Sequence, residues 1–199
     1  MTSLEVSAAY AGRATEYIDR LGSVDAMAEP DRSRIARWAG GLTGPVVDAG
    51  CGPGHWTDFL ARHGCDAEGV DITRPFLEHA RSRYPALSFR EAPLEALGVP
   101  DEGLGGVLAW YSVIHTRPER LDAVLRELAR ALEPDGSLQQ GFFAGPRVES
   151  FEHAVTTAWT WPVEEMGTRL EKAGFEVEEV EQRTADGHRP HAAVVARRV

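Results

Sequence analysis

The sequence predicts an α/β fold: a three-layer sandwich around a seven-stranded, mostly parallel sheet whose last strand is antiparallel. Short apolar runs alternate with amphipathic segments, which is the pattern of βαβ units. A glycine-rich turn follows the first predicted strand directly. The last two predicted strands are separated by a turn too short for a crossover helix, so we expect them to pair antiparallel. This order of elements is Rossmann-like.

The first half of the chain is expected to hold three strands, each joined to a helix. Ile35 and Trp38 share one face of a predicted helix over residues 31–39, and glycines end it. The strands are short apolar runs, and the helices between them follow turn residues. In chain order we expect strand 45–49, helix 56–63, strand 66–71, helix 74–83 and strand 87–91.

The second half begins with the most apolar strand, residues 104–113, which is long enough to be buried on both faces. The spacing of Thr116 and Glu119 is that of a capping box, so we expect the Thr116 hydroxyl to cap the next helix. Leucines and valine recur along that helix at helical spacing. There follow a strand at 137–143, an irregular aromatic segment at 145–161, a helix at 162–173, and strands at 175–180 and 191–196.

Composition limits the function classes. The 199 residues, 43% hydrophobic and 26% charged, suit a single globular domain over residues 1–199. The excess of 31 acidic over 21 basic residues disfavours nucleic-acid and anionic-membrane partners. No apolar run approaches the roughly 20 residues of a membrane span, and we expect no secretory signal. Two cysteines are too few for a disulfide scaffold, which favours a cytoplasmic protein.

The turn after the first strand carries most of the functional information. Gly50, Gly52 and Gly54 let the backbone approach a ligand where a Cβ would clash. The following helix offers unpaired amides to an anionic group. Asp71 ends the second strand, 21 residues after Gly50, where an acidic side chain can accept from two ribose hydroxyls. The two features together predict an adenosine-type cofactor at the carboxyl ends of the strands.

The spacing of the turn narrows the cofactor further. The run is Gly50-x-Gly52-x-Gly54 rather than G-x-G-x-x-G, and Asp48 precedes it. An acid at that place suits an ammonium or sulfonium ligand better than a pyrophosphate. The sequence has no G-x-x-x-x-G-K-[ST] run, so a P-loop nucleotide hydrolase is excluded.

With these motifs the sequence resembles the class I S-adenosylmethionine-dependent methyltransferases. Residues 46–54 resemble the first motif of that family, residues 69–73 the second and residues 104–115 the fourth, and residues 130–136 resemble the turn before its fifth strand. The resemblance covers nearly the whole chain and points to a compact bacterial small-molecule type. It implies S-adenosylmethionine as cofactor and S-adenosylhomocysteine as product.

The resemblance also implies residue roles. The glycine turn would line the methionine moiety with Asp48 near its ammonium, Asp71 would hold the ribose and Ile72 would pack on the adenine. Many relatives place an Asp after strand three, but this chain has Glu91-Ala-Pro-Leu94, so we expect backbone groups there to contact the adenine. The expected cofactor-binding residues are Tyr10, Asp48, Gly50, Cys51, Gly52, Gly54, Trp56, Asp71, Ile72, Ala92, Leu94 and Trp110.

Methyl transfer is mainly a task of alignment, and a base is needed only where the acceptor carries a proton. His115 is the first candidate for a catalytic base, since it follows strand four at the ligand edge and titrates near neutrality. The alternative is that His115 only orders its loop. Tyr111 is the second catalytic candidate, with a plain core residue as its alternative.

Two segments are expected to cover the site. By resemblance, residues 1–40 form an N-terminal helical lid that carries Tyr10 and Tyr17 over the cofactor. Residues 145–161 form a substrate-side insertion. Aromatic residues near that insertion either build an apolar acceptor pocket or a small core under a loop: Phe142, Phe143, Trp159 and Trp161.

The predicted acceptor is a small molecule methylated at O or N, since the cofactor-binding unit uses nearly all 199 residues. Three arginines, Arg32, Arg34 and Arg147, are weaker candidates for an acidic substrate. His188 and His191 indicate a hairpin turn rather than a metal site, because no third ligand is evident, and we expect no metal.

Three rival functions stay open from the sequence. They are a methyltransferase acting on a protein or nucleic acid, a non-catalytic S-adenosylmethionine-binding regulatory protein, and a dehydrogenase. The first rival predicts a basic surface or an added domain. The regulatory protein would bind the cofactor without turning over any acceptor, and binding assays with nicotinamide cofactors against S-adenosylhomocysteine separate the dehydrogenase. The oligomeric state is left open between monomer and homodimer.

Overall fold

The computed structural model describes residues 2–184, 187 and 189–199. The helices within these residues are α1 (Ser3–Ala11), α2 (Ala14–Leu21), α3 (Glu29–Ala39), α4 (His55–Arg62), α5 (Arg74–Arg83), α6 (Pro118–Ala131) and α7 (Val163–Lys172), with a 3₁₀ turn at Val24–Ala26. The strands are β1 (Pro45–Ala49), β2 (Asp66–Asp71), β3 (Ser88–Glu91), β4 (Leu104–Trp110), β5 (Leu132–Ala144), β6 (Glu149–Phe151), β7 (Ala158–Trp161), β8 (Phe175–Arg183) and β9 (His191–Arg198).

The sheet has the predicted topology. Strands β3, β2, β1, β4 and β5 lie side by side and are parallel. Strand β9 then pairs antiparallel with β5 and also with β8, which forms the far edge. This confirms the mostly parallel sheet and the antiparallel terminal hairpin. The carboxyl ends of β1, β2 and β4 therefore meet at one edge, where ligands bind in open α/β sheets.

Helices cover both faces of the sheet and complete the three layers. On one face Leu121, Leu125 and Leu128 of α6 pack with Leu170 of α7 against the strands. On the other face Trp38 and other apolar side chains of α3 and α4 pack against β4 and β9. Across residues 2–184, 187 and 189–199, no helix is long and apolar enough to cross a membrane.

The segment 145–161 is not irregular, as the sequence had indicated, but contains the antiparallel pair β6–β7. Strand β7 runs parallel to the end of β5, with Phe143 opposite Thr160. The amide of Trp159 donates to the carbonyl of Ile114 at 2.9 Å. The hairpin therefore extends the sheet beyond the end of β4. Within the described residues it raises the number of strands from the predicted seven to nine.

Two local predictions in the second half are wrong. Thr116 does not cap α6: Arg117 is the N-cap, in an extended conformation (ψ 144°), and no side chain of a described residue caps the helix. Pro118 explains this, because a proline at the first helical position disfavours the helical conformation of the residue before it. The apolar strand ends at Trp110, three residues early, since Tyr111 turns the chain with φ 54°.

Candidate active site

A cavity of about 410 Å³ lies at the carboxyl edge of the sheet and is called the edge cavity below. It is lined by the turn after β1, the tips of β2 and β4, and the helices α1 and α2. Most of the residues expected to bind a cofactor line it. They are Tyr10, Gly50, Cys51, Gly52, Trp56, Asp71, Ile72, Ala92, Leu94 and Trp110, together with the catalytic candidates Tyr111 and His115.

The turn requires glycine for two reasons. Gly50, Gly52 and Gly54 all have positive φ, at 81°, 53° and 87°. A Cβ on Gly50 would lie 2.3 Å from the Cβ of Ser112, so a side chain does not fit. No atom of a described residue lies within 4 Å of a Cβ built on Gly52. Glycine there serves the left-handed backbone and leaves the cavity open.

Asp71 lies across the turn from the glycines, and its hydrogen bonds stabilise the turn. Its Oδ2 accepts from the Gly52 amide at 2.9 Å, and its Oδ1 accepts from the Thr73 amide at 2.7 Å. Burial raises the pKa of this carboxyl, while the two amides act in the opposite direction. A carboxylate oxygen has two lone pairs, so both oxygens keep capacity for a further donor from the cavity.

Asp48 and Gly54 lie under the turn and are not among the described residues that line the edge cavity. The Thr57 hydroxyl donates to Asp48 Oδ2 at 2.7 Å. Burial raises the Asp48 pKa to about 7. A Cβ on Gly54 would lie 2.8 Å from the Phe89 ring. The geometry thus gives both residues a part in shaping the turn, and a direct contact of Asp48 with a cofactor stays a prediction.

Cys51 lines the cavity but is not poised for nucleophilic chemistry. Its thiol is buried, and burial raises its pKa well above the usual value. The neighbouring carboxylates Asp48 and Asp71 raise that pKa further. A thiol that stays protonated is a poor nucleophile, so Cys51 acts here as a small apolar group.

One end of the cavity is apolar and is covered by α1. Ile72, Phe76 and Leu94 line this end. The Ser7 hydroxyl donates to the Ile72 carbonyl at 2.9 Å, which ties α1 to the tip of β2. The Ala92 amide donates to the Asp71 carbonyl at 3.1 Å. That amide is therefore engaged in the structure rather than directed at the cavity.

His115 lies between the N-terminal arm and the β6–β7 hairpin. Its Nδ1 is 2.8 Å from the Thr157 carbonyl, which can only accept, so Nδ1 carries the proton. Its Nε2 then accepts from the Tyr10 hydroxyl at 2.8 Å. Burial lowers the His115 pKa to about 4, below the near-neutral range expected from the sequence, so the ring is neutral at neutral pH. The structure thus holds His115 at the cavity in one tautomer, with an unprotonated Nε2 that is bonded to Tyr10.

Tyr111 lies next to the strand tip in a strained conformation. Its φ of 54° is uncommon for a residue with a Cβ and directs the chain away from β4. Its hydroxyl is 2.6 Å from His191 Nδ1, and both residues line the edge cavity. Phe143 packs against both rings, with centroid distances of 5.4 Å. Burial raises the Tyr111 pKa, so its hydroxyl stays protonated.

Several residues that the sequence offered as substrate-binding candidates do not line the edge cavity. Of the four aromatic residues proposed for an acceptor pocket, Phe143 lines the cavity, whereas Phe142, Trp159 and Trp161 belong to the core or pack on it. None of Arg32, Arg34 and Arg147 is among the cavity residues that the structure describes. His188 lies outside the described residues.

Some residues of the edge cavity are not indicated by the sequence. The sequence indicates no role for His191 in the site, yet the structure pairs it with Tyr111 across 80 positions. His55 and Ser112 also line the cavity. The glycine spacing signals the position of His55, because it opens the helix after the turn. Nothing local signals His191, since its place depends on how β9 pairs with β5.

Known proteins share this sequence pattern and this fold. Residues 46–136 match the methyltransferase domain family. A malonyl-[acyl-carrier protein] O-methyltransferase of Pseudescherichia vulneris is 31% identical over 93 residues, which cover 47% of this chain and 36% of that protein. The chain spans about a third to a half of the length of the curated relatives it matches.

Solved structures share the fold over the full chain. The [4+2]-cyclase SpnF superposes with a TM-score of 0.83 at 17% identity, covering 100% of this chain and 97% of the cyclase. The 1,6-didemethyltoxoflavin-N1-methyltransferase of Burkholderia thailandensis, solved with S-adenosylhomocysteine bound, superposes with a TM-score of 0.78 at 18% identity, covering 100% of this chain and 91% of that one. Residues 46–136 are thus similar to methyltransferase domains, and the chain shares its fold with these solved structures.

Proposed function

We propose that this protein transfers a methyl group from S-adenosylmethionine to the O or N atom of a small molecule and releases S-adenosylhomocysteine. The proposal rests on the two ends of the edge cavity. The glycine turn and Asp71 lie at the end that suits a nucleoside, and His115 and Tyr111 lie at the end that suits the methyl acceptor.

The described residues fit the cofactor. Asp71 keeps acceptor capacity for ribose hydroxyls, and Ile72 and Leu94 offer an apolar surface to the adenine. Without a Cβ at Gly52, the chain can approach the ligand closely. When bound, S-adenosylmethionine supplies an electrophilic methyl group on a sulfonium. The chain must then hold an acceptor in line and exclude water, which is the main source of rate in such a displacement.

His115 is proposed as the group that receives the acceptor's proton. Its Nδ1–H is held by the Thr157 carbonyl, which leaves Nε2 as the basic atom. Tyr10 occupies Nε2 in the structure at 2.8 Å. An acceptor hydroxyl or amine must therefore replace Tyr10 as the donor, or hand its proton to the Tyr10 oxygen while Tyr10 gives its own to Nε2. The Tyr111–His191 pair offers a second hydrogen-bonding point at the same end.

Two segments are proposed to close the site, residues 1–40 as a lid and residues 145–161 as a substrate-side insertion. They contact each other, since the Arg13 guanidinium donates to the Ala154 carbonyl. Tyr10 of α1 also reaches His115 below the hairpin. Opening this lid for ligand entry would break both contacts, so ligand exchange and exposure of His115 would be coupled.

A small acceptor is favoured over a protein or nucleic acid. The net charge of −10 offers no general attraction to a polyanion. The two free cysteines suit the reducing cytoplasm that we propose as its location. The fold does not by itself decide the reaction, since a named [4+2]-cyclase shares it.

The test is a panel of phenols, amines and natural-product scaffolds, each incubated with the protein and S-adenosylmethionine. We expect S-adenosylhomocysteine to form with at least one of them, and a methylated product to appear in equal amount. Binding of S-adenosylhomocysteine with no turnover across the panel would favour a regulatory or non-methylating protein. Binding of NAD in its place would favour a dehydrogenase.

A further inference from the structure

Five aromatic rings follow one another at the end of the edge cavity that holds His115 and Tyr111. Phe143 lies at their centre, with its ring centroid 5.4 Å from the Tyr111 and His191 centroids. The His153 centroid is 5.9 Å from that of Phe143 and 5.3 Å from that of His115. All five residues line the cavity, and together they are called the aromatic wall below. A ligand at this end therefore packs against rings.

The centre of the aromatic wall is not part of the hydrophobic core. Phe142 is fully buried in the core, but its neighbour Phe143 is half-buried and belongs to none of the core clusters that the described residues form. Tyr111 has a left-handed backbone with φ 54°, a strained conformation that persists mostly at functional sites. Gly141 leaves room for its ring, since a Cβ there would be 3.1 Å from Tyr111 Cε2. Core packing therefore does not account for these rings.

His153, between β6 and β7, brings an unsatisfied polar atom to the wall. Its Nδ1 is buried and has no hydrogen-bond partner among the described residues. Burial lowers the His153 pKa, and the charges of Arg189 and Arg13 lower it further, so the ring is neutral at neutral pH. A buried polar atom without a partner costs free energy, so stability alone would favour an apolar residue here. A ligand in the cavity would supply the partner, with Nδ1 as donor or acceptor according to the tautomer.

The charged side chains of the edge cavity near the wall are already paired. The Asp31 carboxylate, which lines the cavity and acts on Tyr111, is bonded to the Arg183 guanidinium. The two arginines that line the cavity, Arg117 and Arg120, are each paired with a glutamate. A charged acceptor would have to compete with an existing ion pair, whereas an uncharged acceptor would not. The electrostatics therefore favour an uncharged ligand at the wall.

We propose that the aromatic wall binds the ring of an uncharged aromatic methyl acceptor, with Phe143 packed against that ring and His153 Nδ1 hydrogen-bonded to a polar substituent on it. This inference rests on the proposed function and deepens it by naming the substrate class. In the transfer, the acceptor's O or N atom bonds to the methyl carbon, the bond from that carbon to sulfur breaks with its electron pair on the sulfur, and the acceptor's proton passes to His115 Nε2.

Binding probes test the substrate class first. The wild-type protein is saturated with S-adenosylhomocysteine and titrated calorimetrically with three uncharged aromatic probes: catechol, 2-naphthol and aniline. Decahydro-2-naphthol keeps the hydroxyl and the carbon skeleton of 2-naphthol without its aromatic rings, and 2-naphthoate keeps the rings and carries a charge. We expect at least one aromatic probe to bind about tenfold more tightly than either comparison probe, the effect of two or three ring contacts.

Variants then test the two residues named in the proposal. Phe143→Leu keeps an apolar side chain and removes the ring, and His153→Phe keeps a ring and removes the nitrogens. Each should weaken binding of that aromatic probe about threefold to tenfold, the effect of one aromatic contact or one hydrogen bond. Phe151→Leu is the matched control, since Phe151 packs on Phe143 at 5.2 Å but is not among the described residues that line the cavity. It should leave the probe affinity within about twofold of wild type, and no variant should change the affinity for S-adenosylhomocysteine by more than that.

The comparison of probes on the wild-type protein does not depend on the folding of any variant. The inference is overturned if wild type binds decahydro-2-naphthol or 2-naphthoate as tightly as the best aromatic probe, or if it binds S-adenosylhomocysteine and none of the aromatic probes. It is also overturned if Phe143→Leu and His153→Phe bind that probe as tightly as wild type does. In these cases the proposed function stands, because it requires only some small acceptor. If wild type binds no S-adenosylhomocysteine, both fail.

Discussion

The substitution Asp71→Asn tests how the glycine turn is joined to the ribose end of the cavity. Asp71 accepts from the Gly52 amide at 2.9 Å and from the Thr73 amide at 2.7 Å. An asparagine keeps one oxygen for one amide and turns an NH₂ donor toward the other. One charge-assisted hydrogen bond is lost, about 1.5–3 kcal/mol, and relief of the buried charge offsets part of it.

The expected net cost to folding is therefore about 1–3 kcal/mol, which lowers Tm by roughly 2–12 °C for a chain of this size. The ribose hydroxyls lose a charged acceptor as well. We expect the Kd for S-adenosylhomocysteine to rise by roughly tenfold to a hundredfold. The assays are thermal denaturation of the free protein and calorimetric titration with S-adenosylhomocysteine.

The matched control is Asp66→Asn, the same substitution at the exposed start of the same strand. It should leave both Tm and Kd near the wild-type values. A Kd for Asp71→Asn within twofold of wild type would refute the ribose role. A fall in Tm with an unchanged Kd would assign Asp71 to the turn alone.

Three further predictions use these two assays and, for His115, an assay of turnover. Gly50→Ala should lower Tm and cofactor affinity more than Gly64→Ala does. Both glycines have positive φ, but a Cβ on Gly50 would clash with Ser112, whereas a Cβ on Gly64 would meet no described atom. Equal effects of the two substitutions would argue against the close packing of Gly50 on Ser112. His115→Ala should leave S-adenosylhomocysteine binding unchanged and slow turnover of an identified acceptor by about 10²-fold or more. Because the His115 pKa is about 4, turnover by the wild-type protein should not fall between pH 7 and 5.5. Loss of S-adenosylhomocysteine binding in His115→Ala would show that His115 is structural. The Asp48 carboxyl has a pKa of about 7 in the folded protein and about 3.9 in the unfolded chain, so it destabilises the folded state increasingly as pH rises between those values. The stability of Asp48→Asn relative to wild type should therefore grow from pH 4 to 7, by about 4 kcal/mol at most. A difference that does not change with pH would contradict the buried charge.

The sequence was sufficient for the parts of the fold that local pattern determines. The strand at residues 45–49 and the strand at 66–71 have the bounds that apolar runs predicted. The glycine spacing and Asp71 predicted the turn and its acidic partner, because short-range backbone constraints determine both. The final hairpin followed from a loop length too short for a crossover.

The other features of the fold and of the site depend on contacts between segments that are distant in sequence. The β6–β7 hairpin forms because β7 pairs with the end of β5 and bonds to the backbone of Ile114. Nothing in the sequence of residues 145–161 indicates that pairing. Tyr111 meets His191 only after β9 inserts beside β5. The Thr116 cap failed because a local signal, Pro118, was stronger than the capping-box spacing.

Binding of S-adenosylmethionine is tested by a calorimetric titration of the wild-type protein with S-adenosylhomocysteine, run beside one with NAD. We predict saturable binding of one S-adenosylhomocysteine per chain and no heat of binding from NAD. Saturable binding of NAD with none of S-adenosylhomocysteine would contradict it.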